Sequence, residues 1–128
     1  MNFKGMHIVS IREFEREGIE HILDLAETMI PVAKGEKSSR LMEGKIMATL
    51  FYEPSTRTRL SFHSAMFRLG GRFLGFSDPG GSSVKKGETL ADTIRMASAY
   101  SDLIILRHPQ EGSARLASRF SDVPIINA

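Results

Sequence analysis

Ser55-Thr56-Arg57-Thr58-Arg59 places three hydroxyls and two guanidinium groups directly after an apolar stretch and a proline. If a helix opens there, its first backbone N–H groups lack acceptors, and with the neighbouring hydroxyls they form a cradle for an anion. Two arginines in a first turn oppose the helix macrodipole, at a cost of roughly 0.3–1 kcal/mol each unless an anion or an acidic partner offsets them. The two readings are a phosphate or carboxylate cradle, or an ordinary serine N-cap whose arginines point to solvent. The run is not a P-loop, because the glycine-rich stretch and the Gly-Lys-Ser/Thr ending are missing. Arg107 follows Leu103-Ile104-Ile105-Leu106 directly, so it either leaves a sheet at its ligand-binding end or merely ends a strand. Lys85-Lys86 lies in a Gly/Ser-rich loop, where a solvated role is the usual one. His108 is open between a functional and a structural hydrogen-bonding role. His7, His21 and His63 show no metal-ligand spacing with carboxylates, and no metal is expected.

The elements that must hold these residues can be read from periodicity and turn signals. Ser10 with Glu13 fits a capping box opening a helical region. Ile19, Ile22, Leu23, Ala26, Met29 and Ile30 recur at helical spacing and define one apolar face, with Pro31 expected to distort the helix end. Residues 45–52 predict a short buried strand. Residues 55–69 predict a helix striped by Phe62, Ala65, Met66 and Leu69 and stopped by Gly70-Gly71. Residues 72–76 predict a second strand, and 78–83 (Asp-Pro-Gly-Gly-Ser-Ser) a loop. A helix over 88–100 is expected to be buried through Leu90, Ile94 and Ala97. A strand over 103–106, a helix over 112–120 and a strand over 124–126 follow. This alternation predicts an α/β fold, a parallel four-stranded sheet with helices on both faces. Ligands of such sheets bind beyond the carboxyl ends of the strands, at a topological switch point. In a strand order 2-1-3-4 the loop at residues 53–58 and the Arg107-His108 end would be neighbours across that point.

Composition narrows the classes. The 128 residues are 41% apolar and 25% charged, which fits one domain with a core of its own. There is no cysteine, so disulfides, thiol catalysis and cysteine-bound zinc are excluded. The longest purely apolar run is four residues, far below the ~18 expected of a membrane span, and the N-terminus has no signal-peptide pattern. A cytoplasmic protein with no membrane partner is expected. The 17 basic residues nearly balance the 15 acidic ones, net +2, but residues 54–77 contain Arg57, Arg59, Arg68 and Arg72 and no acid. A nucleic-acid surface would show such a stripe, but no aromatic ladder or recognition motif accompanies it, so nucleic acid is not expected as a partner. Arginine in place of lysine favours bidentate recognition of phosphate or carboxylate.

The whole motif Phe51-Tyr52-Glu53-Pro54-Ser55-Thr56-Arg57-Thr58-Arg59-Leu60-Ser61-Phe62 resembles the carbamoyl-phosphate signature of the aspartate and ornithine carbamoyltransferases. Lys85-Lys86-Gly87-Glu88-Thr89-Leu90-Ala91-Asp92-Thr93 and Arg107-His108-Pro109-Gln110-Glu111-Gly112 resemble the aspartate branch, whose lysine pair suits a dicarboxylate substrate. An ornithine-type enzyme is the nearer alternative, and a non-catalytic phosphate-binding or trimer-assembly module the more distant one.

The resemblance implies that residues 1–128 are a carbamoyl-phosphate-binding domain, without the family's second, aspartate-binding domain. It implies transfer of a carbamoyl group from carbamoyl phosphate to L-aspartate, releasing phosphate, a step of pyrimidine biosynthesis, with no cofactor. By the same resemblance Ser55, Thr56, Arg57 and Thr58 would bind the phosphate, Thr58 also lying near the carbonyl oxygen, and Arg107 would reach both. Arg57, Thr58 and Arg107 would be the catalytic groups. Lys86 and a serine of its loop, Ser82 or one register on Ser83, would enter a neighbouring subunit's site in a homotrimer. The resemblance leaves a separate regulatory chain open. It also implies that the 128 residues alone bind carbamoyl phosphate without turning it over.

Overall fold

The computed structural model describes residues 1–77 and 87–128. The elements run from a 3₁₀ turn at Ile11–Glu13 through α1 (Arg16–Ala33), β1 (Ile46–Phe51), α2 (Thr56–Arg68) and β2 (Arg72–Phe76). They continue with α3 (Leu90–Tyr100), β3 (Leu103–Arg107), α4 (Ser113–Phe120) and β4 (Ile125–Asn127). The four strands are all parallel, in the order β2-β1-β3-β4. The chain builds outward from β1 to β2, returns to place β3 on the other side of β1, and then adds β4. The switch point therefore falls between the carboxyl ends of β1 and β3.

Strand alternation divides the core into two layers. Ala48, Leu50, Ile104, Leu106 and Ile125 face Ile94 and Ala97 of α3 and Ala114 and Ala117 of α4. On the opposite face Met47, Phe51 and Ile105 pack under Met66 and Phe62 of α2, and α1 lies against α2. Phe51, Ile94, Ile104, Ile105, Leu106 and Ile125 are the largest fully buried apolar side chains. Each contributes roughly 1.5–3 kcal/mol of burial, so β1 and β3 are held firmly at the centre. Gly75 of β2 is demanded by crowding as well as by its φ of 139°. A Cβ there would stand 2.0 Å from the Thr49 carbonyl oxygen of β1.

Asp102 ties the amino ends of β1 and β3, accepting from the Ile46 N–H at 2.8 Å while its own N–H donates to the Ile46 carbonyl. The segment before the 3₁₀ turn also joins the sheet edge. Ile8 bridges Ile126 in parallel and exchanges two backbone bonds with β4.

One expectation for the first forty residues needs correction. Ser10 caps only the 3₁₀ turn, accepting from the Arg12 N–H at 3.3 Å, and Glu13 pairs with Arg115 of α4 instead of completing a capping box. The long helix starts separately, after Glu15. The apolar face of α1 is not buried here, since Leu23 is 60% and Ile30 48% exposed. Pro31 lies inside α1, which continues to Ala33 and is capped by Lys34.

Candidate functional site

β1 delivers its chain end to the switch point, and the first residues beyond it form the site. The Tyr52 N–H extends the ladder by donating to the Arg107 carbonyl at 2.8 Å, opposite the Phe51–Arg107 pair in register. Glu53 then turns towards β3, its Oε1 2.9 Å from Arg107 Nε, with both side chains about one third exposed (36% and 31%). The atoms are close but the N–H is not aimed at the oxygen. Nε is sealed from solvent without an aligned acceptor among the described residues. An arginine carries five N–H donors on a planar fork, so Glu53 can hold one edge while the others stay available to an anion.

Two residues after Glu53, Ser55 is the N-cap of α2 in extended geometry (φ −157°, ψ 91°), and its hydroxyl makes no capping bond. The first helical bond of α2 is the Arg59 N–H to the Ser55 carbonyl, 3.1 Å. The N–H groups of Thr56, Arg57 and Thr58 thus precede any intrahelical acceptor, and no acidic residue occupies the first turn. Arg57 is exposed and Thr58 half-buried. Among the described residues neither Arg57 nor Arg59 has an ion-pair partner. The fold brings Ser55, Thr56, Arg57 and Thr58 into one helix turn and sets Arg107 on the adjacent strand end. Ser82, Ser83, Lys85 and Lys86 lie outside the described residues.

His108 is held in place through its Nδ1. Its Nδ1 accepts from the Gln110 N–H at 3.0 Å and faces the Ser113 hydroxyl at 2.9 Å, so the Ser113 hydroxyl donates and the ring proton belongs on Nε2. Tyr52 packs against its ring, centroids 4.8 Å apart. Burial raises the Tyr52 phenol above its usual range, Thr93 opposing the shift and the charge of Glu88 adding to it. Thr93 completes no well-formed bond to the phenol; its hydroxyl donates to Glu88. An open cavity of about 660 Å³ lies on the β4 side of His108, lined by Arg12, Glu111 and Arg115 among others. It contains none of the 55–58 turn and not Arg107, so its size is no guide to the anion site.

Glu53 is the site residue whose role residue types alone did not reveal. The signal was present as an acid placed between a strand end and a proline-serine helix start, two residues from a cluster of three hydroxyls and two arginines.

Burial lowers the pKa of both His63 and His108 below the usual histidine value, with Arg59 adding to the effect at His63 and Glu53 opposing it at His108. A lowered folded-state value means that the fold prefers the neutral ring. The stability it contributes is complete above the unfolded value of 6.5 and is lost as pH falls through the folded values. The melting temperature should therefore drop as pH is taken below 6.5, and less steeply in His63→Gln. Identical pH profiles for the two proteins would show that His63 carries no such linkage.

Comparison with known proteins gives the family and the fold. The family model for "Aspartate/ornithine carbamoyltransferase, carbamoyl-P binding domain" matches residues 6–128. The aspartate carbamoyltransferase catalytic subunit of Methanosarcina acetivorans is 58% identical over 127 residues, 99% of this chain and 41% of that protein. Among solved structures, the catalytic subunit of M. jannaschii aspartate transcarbamoylase superposes with a TM-score of 0.89 at 56% identity, over 95% of this chain and 41% of its own. Aspartate transcarbamoylase from Trypanosoma cruzi in complex with carbamoyl phosphate and aspartate gives 0.89 at 41% identity, over 97% and 41%. The chain thus spans about two fifths of the length of these relatives. With the family match covering nearly all of it, the chain belongs to the aspartate/ornithine carbamoyltransferase family, through its carbamoyl-phosphate-binding domain.

Proposed function

We propose that this chain is the carbamoyl-phosphate-binding part of an aspartate carbamoyltransferase catalytic subunit, which makes N-carbamoyl-L-aspartate and phosphate for pyrimidine synthesis. The observation that carries the reading is the helix turn of Ser55, Thr56, Arg57 and Thr58 at the switch point, with Arg107 beside it on β3. The solved Trypanosoma cruzi relative holds carbamoyl phosphate and aspartate together, and the aspartate-branch motifs at Lys85-Lys86 and Arg107-His108 favour aspartate over ornithine.

The chemistry asks little beyond placement and charge. The aspartate amine attacks the carbamoyl carbon, negative charge grows on the carbonyl oxygen, and the C–O bond to phosphate breaks as the amine loses a proton. The backbone N–H groups and hydroxyls of the 55–58 turn hold the phosphate, and Arg57 neutralises it as it leaves. Thr58 and Arg107 donate to the carbonyl oxygen, where fixed donors stabilise the tetrahedral state more than the ground state. Lys86, with Ser82 or Ser83, completes the site of the next subunit in a homotrimer. A cytoplasmic setting belongs to the same reading and fits the absence of cysteine. No helix among the described residues is long and apolar enough to cross a membrane.

Calorimetric titration with inorganic phosphate tests the cradle. Arg57→Ala should weaken binding by about 10- to 150-fold, the loss of a charge-assisted contact of about 1.5–3 kcal/mol. Arg68→Ala, in the last turn of α2, should leave it within about twofold, since the ~17 Å of intervening helix exceeds the ~10 Å screening length in 0.1 M salt. Equal losses from both would mean that the arginine stripe acts as a diffuse field and that no discrete cradle exists.

A further inference from the structure

His63 is the one titratable side chain among the buried described residues, 8% exposed, and the chemistry above makes no use of it. It sits two turns into α2, about 12 Å along the axis from Ser55 at 1.5 Å per residue. Its Nε2 lies 2.9 Å from Thr49 Oγ1, in the middle of β1. Its ring stacks on Phe73 of β2, with centroids 3.7 Å apart and planes inclined by 6°. Phe67 of α2 closes edge-on against the same phenyl ring at 4.9 Å. One imidazole thus joins three elements.

The remaining contacts of α2 with the sheet are apolar, Phe62 and Met66 resting on Met47, Phe51 and Ile105. Apolar burial is non-directional and by itself tolerates a small slide or roll of the helix. A hydrogen bond does not, because it weakens steeply with misalignment, and water has little access to replace it at a buried position. The strands cannot yield either, since β1 and β2 are locked in register with Thr49 opposite Gly75 and the glycine leaves no slack against β1. β1 carries Glu53 at its end, and Glu53 holds Arg107. The position of α2 along its axis is thus measured against the same strand that places Arg107.

We propose that His63 is a positioning residue for the anion site: through Thr49 and Phe73 it fixes the axial register of α2, and so the spacing between the 55–58 turn and Arg107. The ligand class it serves is a phosphate-bearing one, and the proposal rests on the cradle reading above. The sensitivity is large, because a misplacement of about 1 Å at a reacting group costs on the order of 10²-fold in rate.

The test uses the catalytic subunit that carries this chain, with phosphate affinity measured well below each variant's melting temperature. Thr49→Val keeps the branched shape and removes the hydroxyl; His63→Leu removes the ring nitrogen. Each should weaken phosphate binding by about tenfold, and the double variant should be no weaker than either single one, as expected for partners in one interaction. His63→Gln, whose amide nitrogen can reach Thr49, should recover affinity to within about threefold of wild type. If His63→Leu does not fold, Thr49→Val decides alone. Variants that melt earlier but bind phosphate as tightly as wild type would overturn the proposal and leave His63 a purely structural residue. A wild-type subunit that binds no phosphate would instead overturn the cradle reading on which the proposal stands.

Discussion

Arg107→Ala is expected to lower kcat/KM for carbamoyl phosphate by about 10²–10³-fold in a catalytic subunit carrying this chain, the loss typical of one preorganised oxyanion donor. Arg107 stands at the end of β3 with a side chain 31% exposed, held from one edge by Glu53, and belongs to neither core cluster. The fold should therefore survive its truncation, so that the loss reads out in rate. Arg107→Lys should recover little of it, because an ammonium on a flexible stem cannot present two fixed N–H donors at once. Glu53→Gln should cost much less, since Arg107 keeps all its guanidinium donors and loses only a neighbouring charge. A folded Arg107→Ala subunit with near-wild-type kcat/KM would remove Arg107 from the site.

The second large effect concerns the sharing of sites between subunits. Lys86→Ala and Arg57→Ala subunits should each be nearly inactive alone, yet mixtures of the two should regain activity after dissociation and reassembly. In the proposed homotrimer each site would take the 55–58 turn from one chain and the lysine loop from the next. Random mixing then leaves about one quarter of the interfaces with both groups intact. Mixed trimers that stay as inactive as the parents would place Lys86 within its own subunit's site or outside the chemistry.

Much of the fold could be read from the chain, for reasons visible in particular residues. The runs ending at Phe51 and Arg107 are short and apolar, as central strands of a parallel sheet are, and they became β1 and β3. Gly70-Gly71 marked the end of α2, which closes at Arg68 with Leu69 as its cap. The strand order puts the switch point between β1 and β3, and Ser55 and Arg107 follow from the two strand ends that flank it. The failures arose where long-range partners decide. Ser10 and Glu13 fit a local capping pattern, but Arg115, a hundred residues away, takes the carboxylate. Ile19 to Ile30 carry a helical apolar period, and that period fixes a helix without saying what covers it. The role of Glu53 stayed hidden because its partner lies on another strand, and that of His63 because its hydroxyl partner Thr49 sits inside an otherwise apolar run.

The most direct measurement is product formation by the catalytic subunit that carries this chain, supplied with carbamoyl phosphate and either L-aspartate or L-ornithine. The proposed function requires N-carbamoyl-L-aspartate and an equal amount of phosphate with aspartate, no carbamoylated ornithine, and loss of both products in Arg107→Ala. Carbamoylated ornithine as the product, or a folded subunit that releases phosphate at the same rate with and without aspartate, would contradict it.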